Sequence, residues 1–461
     1  MYSTVNDIQN RFDRKEILDL GKRVDCYTWC YPLRLGDFNP LEVWKKNDSV
    51  PMNSKQATLY VHVPFCKFIC SMCPFTHEPL KPQNLDLYVD SIIKEIELYS
   101  SNSLSKELEV SSIFFGGGTA SVLSPKHIDS ILKTMKSRFD ILSDCDITVE
   151  CHPMTVGKDY LASLKACGVN RVTFGVQSFN KENIDSLKLH QIPFKSIKVI
   201  KNALEVGFKT VAIDLMYNFP NQKIEGLAQD INMALDLGVH SISFYALDPE
   251  VRELNKVKDE QNSLETEKEM FNYIFDKMKE TGFIQVAQPD YALPGHENKQ
   301  IQDLWQSPQC QNLSFGAGAF SESFNGFTWA NVHDADEYIS MIQNGKFPVL
   351  MGKRWSYDDA LSRYPALGVR CLNVDMKKFE DIFSIKFEDI YKYEIALLKS
   401  YDYIDIKDNM LIVTQKGKFF IDNISKCFFS FSNRGKTQLW GCNLRELRPK
   451  EVYDFGQVLN K

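Results

Sequence analysis

Three cysteines, Cys66, Cys70 and Cys73, stand at C-x3-C-x2-C spacing within Tyr60-Val61-His62-Val63-Pro64-Phe65-Cys66-Lys67-Phe68-Ile69-Cys70-Ser71-Met72-Cys73-Pro74-Phe75. They follow an apolar, strand-like run, on a loop short enough for the sulfurs to converge. Thiolates select zinc or iron–sulfur clusters, and a [4Fe–4S] cluster ordinarily takes four cysteines. Three local ligands therefore leave one iron open to a small molecule. A structural zinc site would need a fourth protein ligand, for which His77 is the nearest option. Of the twelve cysteines only this group clusters tightly. Cys26 and Cys30 lack a third partner, and Cys145 and Cys151 bracket a strand-like run where burial explains them.

Further along, Gly116-Gly117-Gly118-Thr119 follows the apolar run Ile113-Phe114-Phe115. Consecutive glycines at a strand end let the backbone approach a ligand closely and can cup an anion. No Gly-Lys-Ser/Thr ending follows, so a nucleoside triphosphate loop is excluded. Polar residues then close one strand-like run after another: Glu150, then Gln177 and Ser178, then Asp214. Each alone reads as a solvated strand end. Together, beside a cysteine triad, they suit a ligand bearing hydroxyls and an amino group.

The elements that must position these groups alternate in type. Strands are expected at Leu59–Phe65, Ser112–Gly116, Ile147–Cys151, Arg171–Val176, Thr210–Met216 and Ser241–Ala246. Helices are expected at Leu85–Tyr99, Lys126–Phe139, Asp159–Ala166, Lys195–Val206 and Ile224–Leu237. Six βα units in series predict a parallel sheet curled toward a barrel, with chemistry at the C-terminal strand ends. Residues 1–56 read as an N-terminal extension that wraps the main domain, with a short helix near Pro40 to Lys46; 57–250 is the β/α core. Residues 251–354 read as a barrel extension: a charged loop at 248–262, a helix Leu264–Gly282, an extended run Phe283–Ala292, and a pocket-lining stretch at 295–327 with few periodic elements. From about Trp355 to 461 a small winged-helix-like α+β module is expected, with helices near Asp375–Phe383, Phe387–Ser400 and Lys416–Ile424 and a hairpin Tyr403–Val413.

Composition narrows the function. The chain has 461 residues, 44% hydrophobic and 25% charged, values of ordinary globular domains. No apolar run reaches the length of a membrane span and no secretion signal opens the chain, so the cytoplasm is the expected compartment. A formal charge of −6 argues against a nucleic-acid partner held by bulk electrostatics.

The motifs, in order from Tyr60 to Leu247, resemble those of the radical S-adenosylmethionine (SAM) superfamily, and more narrowly its HemN-like branch, named for oxygen-independent coproporphyrinogen III oxidase. Those quoted above are joined by Thr148-Val149-Glu150, Phe174-Gly175-Val176-Gln177-Ser178-Phe179-Asn180, Asp214-Leu215-Met216-Tyr217-Asn218-Phe219-Pro220 and, in the last module, Val413-Thr414-Gln415-Lys416-Gly417-Lys418. The resemblance implies an α/β fold, a partial (β/α)6 TIM-like barrel. It implies that Cys66, Cys70 and Cys73 bind a [4Fe–4S] cluster whose open iron chelates SAM. Gly117, Gly118 and Thr119 would hold the methionine end, Glu150 and Asp214 the ribose or amino groups, Gln177 a further polar edge, and Tyr60 would also contact SAM. One electron from the cluster then cleaves the sulfonium bond, giving a 5'-deoxyadenosyl radical that abstracts hydrogen from substrate. An electron donor such as flavodoxin or ferredoxin is implied as partner.

Three departures bear on the reaction. Coproporphyrinogen oxidases of this type carry a fourth cysteine where this chain has Phe75. The arginine that pairs with the SAM carboxylate in the family is replaced by Leu189, with Lys188 and His190 as neighbours. The His-Asn-x-x-Tyr-Trp signature of the haem-chaperone and natural-product relatives is only echoed, in His296-Glu297-Asn298-Lys299 and Leu304-Trp305. The stretch from Leu313 to Pro348 is similar to that of the haem-degrading methyltransferases of the branch. The expected function is therefore radical SAM oxidation or alkylation of a small aromatic, tetrapyrrole-like substrate. Coproporphyrinogen oxidation, haem carriage and natural-product C-methylation are the alternatives. His62, His127 and His240 are expected to be ordinary histidines with satisfied hydrogen bonds.

Overall fold

The computed structural model describes residues 30–32, 35–36, 38–45, 47, 50–51, 54–73, 75–247, 262–306, 310–430, 433 and 448–455. In chain order its strands are β1 (Gln56–Val63), β2 (Phe65–Cys66), β3 (Glu78–Pro79), β4 (Glu109–Gly117), β5 (Asp140–Cys151), β6 (Arg171–Gln177), β7 (Thr210–Tyr217) and β8 (Ser241–Ala246). They continue with β9 (Ile284–Gln285), β10 (Asp290–Ala292), β11 (Gln311–Phe315), β12 (Phe320–Phe324), β13 (Phe327–Asn331), β14 (Val349–Arg354), β15 (Asn373–Asp375), β16 (Ile404–Lys407) and β17 (Met410–Val413).

Twelve strands form one sheet in the order β14-β13-β12-β11-β1-β4-β5-β6-β7-β8-β10-β9. From β11 to β8 every neighbouring pair is parallel. Antiparallel strands extend both flanks. The parallel strands are buried on both faces: the apolar face, with Leu59, Val61, Ile113, Phe115, Val149, Val172 and Ile213, packs under the helices, and the alternate residues, among them Tyr60, Glu150, Thr173, Asp214 and Ser243, turn polar groups into the barrel. Residues on β1, β5, β7, β8, β10 and β12 line one cavity, so the sheet curves around it. Among the described residues the outermost strands, β14 and β9, do not pair, and the barrel is open.

The helices Leu85–Tyr99, Pro125–Arg138, Lys158–Ala166, Pro193–Val206 and Ile224–Leu237 make the crossovers. Local chemistry sets their ends. A Ser124/His127 capping box opens one, and Gly207 and Gly238, both left-handed, close two others. The six strands and five helices expected here all form, within three residues of their expected bounds except β5, which starts at Asp140, seven residues before the expected Ile147. Residues 295–327 differ from expectation: they hold the helix Lys299–Gln306 and the strands β11 and β12. β11 pairs in parallel with β1, Leu59 opposite Leu313, a join across more than half the chain that no local periodicity announces.

A second apolar cluster gathers the helices Tyr357–Gly368, Met376–Phe383, Phe387–Ser400, Gln415–Phe419 and Ile421–Cys427 around the small sheet β15-β17-β16. The expected hairpin is present, and Asp408 and Asn409 both take positive φ, the conformation a two-residue turn requires. The expected helix at 416–424 is instead two, broken at Phe420, and the helix Tyr357–Gly368 was not expected. Towards the N-terminus, the helix expected near Pro40 is a single 3-10 turn, Pro40–Glu42. Tyr31 is buried in the second cluster and Trp44 packs on Tyr99 and Phe324. Cys26, the helical start before it and nearly all of the charged loop at 248–262 lie outside the described residues.

Within the barrel core one buried carboxylate ties the helix Leu85–Tyr99 to the ends of β11 and β13 and to the helix Ala335–Gln343. Glu95 accepts from Tyr338 Oη (2.6 Å), Gly316 N (2.9 Å) and Asn331 Nδ2 (2.8 Å). Burial nevertheless pushes its carboxyl up to about 7. The folded protein therefore holds this proton more tightly than the unfolded chain, and the group's contribution to stability falls as pH rises from the unfolded value toward 7. Glu95→Gln should flatten that part of the stability–pH curve. It should also cost about 1–3 kcal/mol, because the new amide meets the Asn331 amide donor to donor. Denaturant melts at several pH values measure both effects.

Candidate functional site

The cysteine loop leaves β1 at Pro64 and is held on two sides. Backbone bonds from Glu78 N to Pro64 O (2.7 Å) and Leu80 N to Cys66 O (2.9 Å) fix its start. Ser71 Oγ donates to Leu187 O (2.8 Å), while Cys70 and Met72 pack on the cluster of Ile184, Leu187, Leu189 and Met216. Phe68 lies between His152 and His190, with ring centroids at 5.4 and 5.2 Å. None of the three forms a disulfide; Cys66 is buried, and Cys70 and Cys73 are partly exposed. Burial raises the Cys66 thiol, and burial together with the nearby Cys66 pushes Cys70 up to about 11. Such thiols stay protonated until a cation displaces the proton.

The glycine turn lies directly against this loop. A Cβ on Gly118 would stand 2.5 Å from Pro64 O and 2.9 Å from Cys66 Sγ, and one on Gly116 2.8 Å from Glu150 Oε2. Gly117 has φ +112°, open to glycine and strained for other residues. Thr119 Oγ1 donates to Cys66 Sγ at 3.4 Å. The sequence pattern thus becomes a fitted contact: the space of a side chain is taken by Glu150 and Tyr60 at Gly116, by His62 at Gly117 and by Pro64 and Cys66 at Gly118. Among the described residues no three His, Cys, Asp or Glu side chains surround one metal ion. A cluster spreads its thiolates over different irons, so a cysteine set that does not close around a single ion is compatible with a [4Fe–4S] group. His77, the candidate zinc ligand, instead turns Nδ1 to Phe75 O at 2.8 Å.

A cavity of about 280 Å³ runs through the barrel interior, from Phe75, Thr76 and Gly318 after the cysteine loop and β11 to Arg171 at the start of β6 and the helix Lys299–Gln306. Tyr60, Glu150 and Asp214 line it. Burial and then the charge of Asp214 push Glu150 up to about 8, with the Gly117 N–H opposing. Burial and then Asp290 push Asp214 up to about 7, with Ser243 opposing. The Tyr60 phenol is raised well above its ordinary value by burial and Glu150. These groups can offer a ligand both acceptors and donors close to neutral pH.

Other expected residues fall elsewhere. Gln177, at φ +67° where β6 ends, is partly buried and is not part of the cavity wall. Ser178 gives its hydroxyl to Asp230 Oδ2 (2.6 Å), which anchors the turn. Leu189 is buried in the apolar cluster behind the cysteine loop, and both Lys188 and His190 are exposed. His62 is a buried strand residue with a hydrogen bond, as expected, though a long one. Its Nδ1 lies 3.4 Å from Tyr60 Oη, its Nε2 is buried without a partner among the described residues, and burial lowers it to about 4. Missed altogether were Arg171, Asp290 and Gln300, which also line the cavity. Arg171 opens a strand and Asp290 follows a proline, positions that read locally as ordinary ends; only the curvature of the sheet brings them inward.

Comparison with known proteins agrees with this geometry. Residues 60–234 match the radical SAM superfamily. The heme chaperone HemW of Bacillus subtilis is 26% identical over 376 residues, 80% of this chain and 98% of that protein. The oxygen-independent coproporphyrinogen III oxidase of Helicobacter pylori is 25% identical over 407 residues, 83% of this chain and 88% of the other. The solved structure of coproporphyrinogen III oxidase (HemN) from Escherichia coli superposes with a TM-score of 0.75 at 24% identity, covering 90% of this chain and 99% of that one. The chain carries a radical SAM domain, the type that works with a [4Fe–4S] cluster and SAM, in a HemN-type α/β fold, and its relatives are heme chaperones HemW and oxygen-independent coproporphyrinogen III oxidases.

Proposed function

We propose that the chain is a radical SAM enzyme that oxidises or alkylates a tetrapyrrole. The observation that carries the reading is the fitted contact of Gly118 and Thr119 with Cys66, next to a cavity walled by Tyr60, Glu150 and Asp214. In this reading Cys66, Cys70 and Cys73 hold the cluster and the glycine turn leaves room for the methionine end of SAM. Glu150, Asp214 and Tyr60 face its amino and ribose groups. When bound, cluster and SAM together supply hydrogen-atom abstraction. The protein's share is to orient both, to keep water out and to present the Glu150 and Asp214 carboxyls to SAM. Gln177 shapes the β6 turn and is assigned no contact.

The carboxyls give a pH dependence with a definite sign. Both are raised, so both carry protons at low pH and become acceptors only as pH rises past about 7 for Asp214 and about 8 for Glu150. An ammonium-bearing ligand prefers the ionised forms. SAM affinity should therefore tighten with rising pH across that range, and Glu150→Gln should remove the upper part of the rise, as read by equilibrium dialysis.

The tetrapyrrole class rests on the relatives, whose names carry heme and coproporphyrinogen III. Haem carriage is the second reading. Registered on Trp305, the His-Asn-x-x-Tyr-Trp signature falls on Gln300, Ile301 and Leu304, all on the cavity wall, and its histidine is absent. That favours an enzyme over a carrier. The test is anaerobic product analysis with SAM and a panel of haem, coproporphyrinogen III and non-tetrapyrrole aromatics. S-adenosylhomocysteine among the products marks methyl transfer, and its absence marks simple oxidation. Stoichiometric haem binding and transfer without turnover would replace the proposal with carriage.

A further inference from the structure

The surface around the cysteine loop is basic and apolar in a chain whose formal charge is −6. Residues 62–77 carry Lys67 and no acidic residue, and residues 186–201 carry Lys188, Lys195, Lys198 and Lys201, again with no acidic residue. The two stretches meet. Ser71 Oγ donates to Leu187 O at 2.8 Å, and the Phe68 and His190 rings stack with centroids 5.2 Å apart. Four residues beyond His190, a reach of at most about 14 Å, Phe194 opens the helix Pro193–Val206. Phe194 is 72% exposed, more than any other large hydrophobic side chain among the described residues; Ile69 in the cysteine loop and Ile192 before the helix are 43% and 48% exposed. All five lysines are exposed, and none forms an ion pair with a described carboxylate, whereas Lys181 nearby is paired with Asp185 at 2.5 Å. Single exposed apolar residues are ordinary, but three of them among unpaired lysines mark a surface that another molecule covers.

We infer that this patch, centred on Phe194, Ile192 and Ile69 and ringed by Lys67, Lys195 and Lys198, is the docking surface of an acidic electron-carrier protein. The inference rests on the radical SAM reading above, which needs an electron delivered to the cluster from outside. Three observations select this occupant. Cys70 and Cys73 are partly exposed, so a cluster on them lies at this face, and a carrier seated over Ile69 and Phe194 brings its redox group near the iron. The lysines complement an acidic rim around such a group, while the negative balance of the rest of the chain turns the same carrier away. The apolar area is small, which suits electron-transfer encounters, whose interfaces bury less than about 1,200 Å² and let the carrier leave. The exchange balances: the carrier is oxidised by one electron and the cluster reduced by one, with no bond made or broken.

The experiment mixes the cluster-loaded, full-length protein anaerobically with a reduced flavodoxin and, in a second arm, a reduced plant-type ferredoxin. Equilibrium binding and stopped-flow reoxidation of the carrier are the readouts. The wild type should bind at least one carrier, with an affinity that falls as salt rises. Lys195→Glu/Lys198→Glu should weaken that binding and slow the transfer at least about tenfold, the scale of lost electrostatic steering. Phe194→Ser should weaken binding while keeping its salt dependence. These side chains are exposed, so both variants should keep the wild-type iron content, SAM affinity and 5'-deoxyadenosine formation when dithionite supplies the electron. The same charge reversal on the C-terminal module, Lys378→Glu/Lys386→Glu, should leave carrier binding and transfer unchanged. Equal slowing in the two double variants, wild-type transfer in Lys195→Glu/Lys198→Glu, or binding of neither carrier overturns the inference. Binding to anionic phospholipid vesicles that is lost in the variants while carrier transfer stays unchanged would assign the patch to a membrane surface and overturn it as well. If the wild type forms no 5'-deoxyadenosine even with dithionite, it is the radical SAM reading itself that fails.

Discussion

Cys70→Ala should leave the protein folded but without acid-labile sulfide, and SAM cleavage under strong reductant should fall to background. The side chain is partly exposed and lies at the edge of the Ile184–Leu189 cluster, so its apolar packing adds little to stability. The chemical change is the removal of one of three thiolates. Thr119 already serves Cys66 and His77 is turned toward Phe75 O. Retained iron and sulfide at the wild-type ratio in this variant would remove Cys70 from the ligand set. The test reads metal content and turnover separately, so a folding defect, visible by circular dichroism, is not mistaken for a ligand defect.

Gly118→Ala should be nearly as damaging with all three cysteines intact. The added methyl would stand 2.5 Å from Pro64 O and 2.9 Å from Cys66 Sγ. Backbone lies on one side and the proposed ligand on the other, so neither yields as a flexible side chain would. Overpacking of this kind costs about 1–3 kcal/mol when the surroundings can shift. Here the shift displaces Cys66 or opens the Gly118 N to Val63 O bond of 2.8 Å. Lower iron occupancy with a modest drop in melting temperature is the expected pattern. Gly157→Ala, where nothing lies within 4 Å, is the control and should leave iron content unchanged. Equal occupancy in both variants would mean that the turn is not fitted to the cysteine loop.

Much of the fold was legible because each βα unit declares itself locally. The apolar runs of β1 and β4–β8, the αL glycines 207 and 238 and the Ser124 cap are all short-range signals. The sequence also pointed to the residues of the cysteine loop and glycine turn, whose spacing is itself the chemistry. What escaped was long-range. β11 joins β1 across some 250 residues, and the cavity wall takes Arg171, Asp290 and Gln300 from elements whose inward face only the curvature of the sheet defines. His62 is the ordinary buried strand histidine its position suggested, with Nδ1 3.4 Å from Tyr60 Oη. Leu189 went the other way: the residue in the place of a charged clamp is core, held against Cys70 and Met72.

The central claim is that this loop and cavity run radical SAM chemistry, and the most direct measurement is 5'-deoxyadenosine formed by the anaerobically reconstituted, reduced protein supplied with SAM. The account predicts its formation, stimulated by a tetrapyrrole and absent in Cys70→Ala. A protein loaded with iron and sulfide that binds SAM and never yields 5'-deoxyadenosine under strong reductant would contradict it.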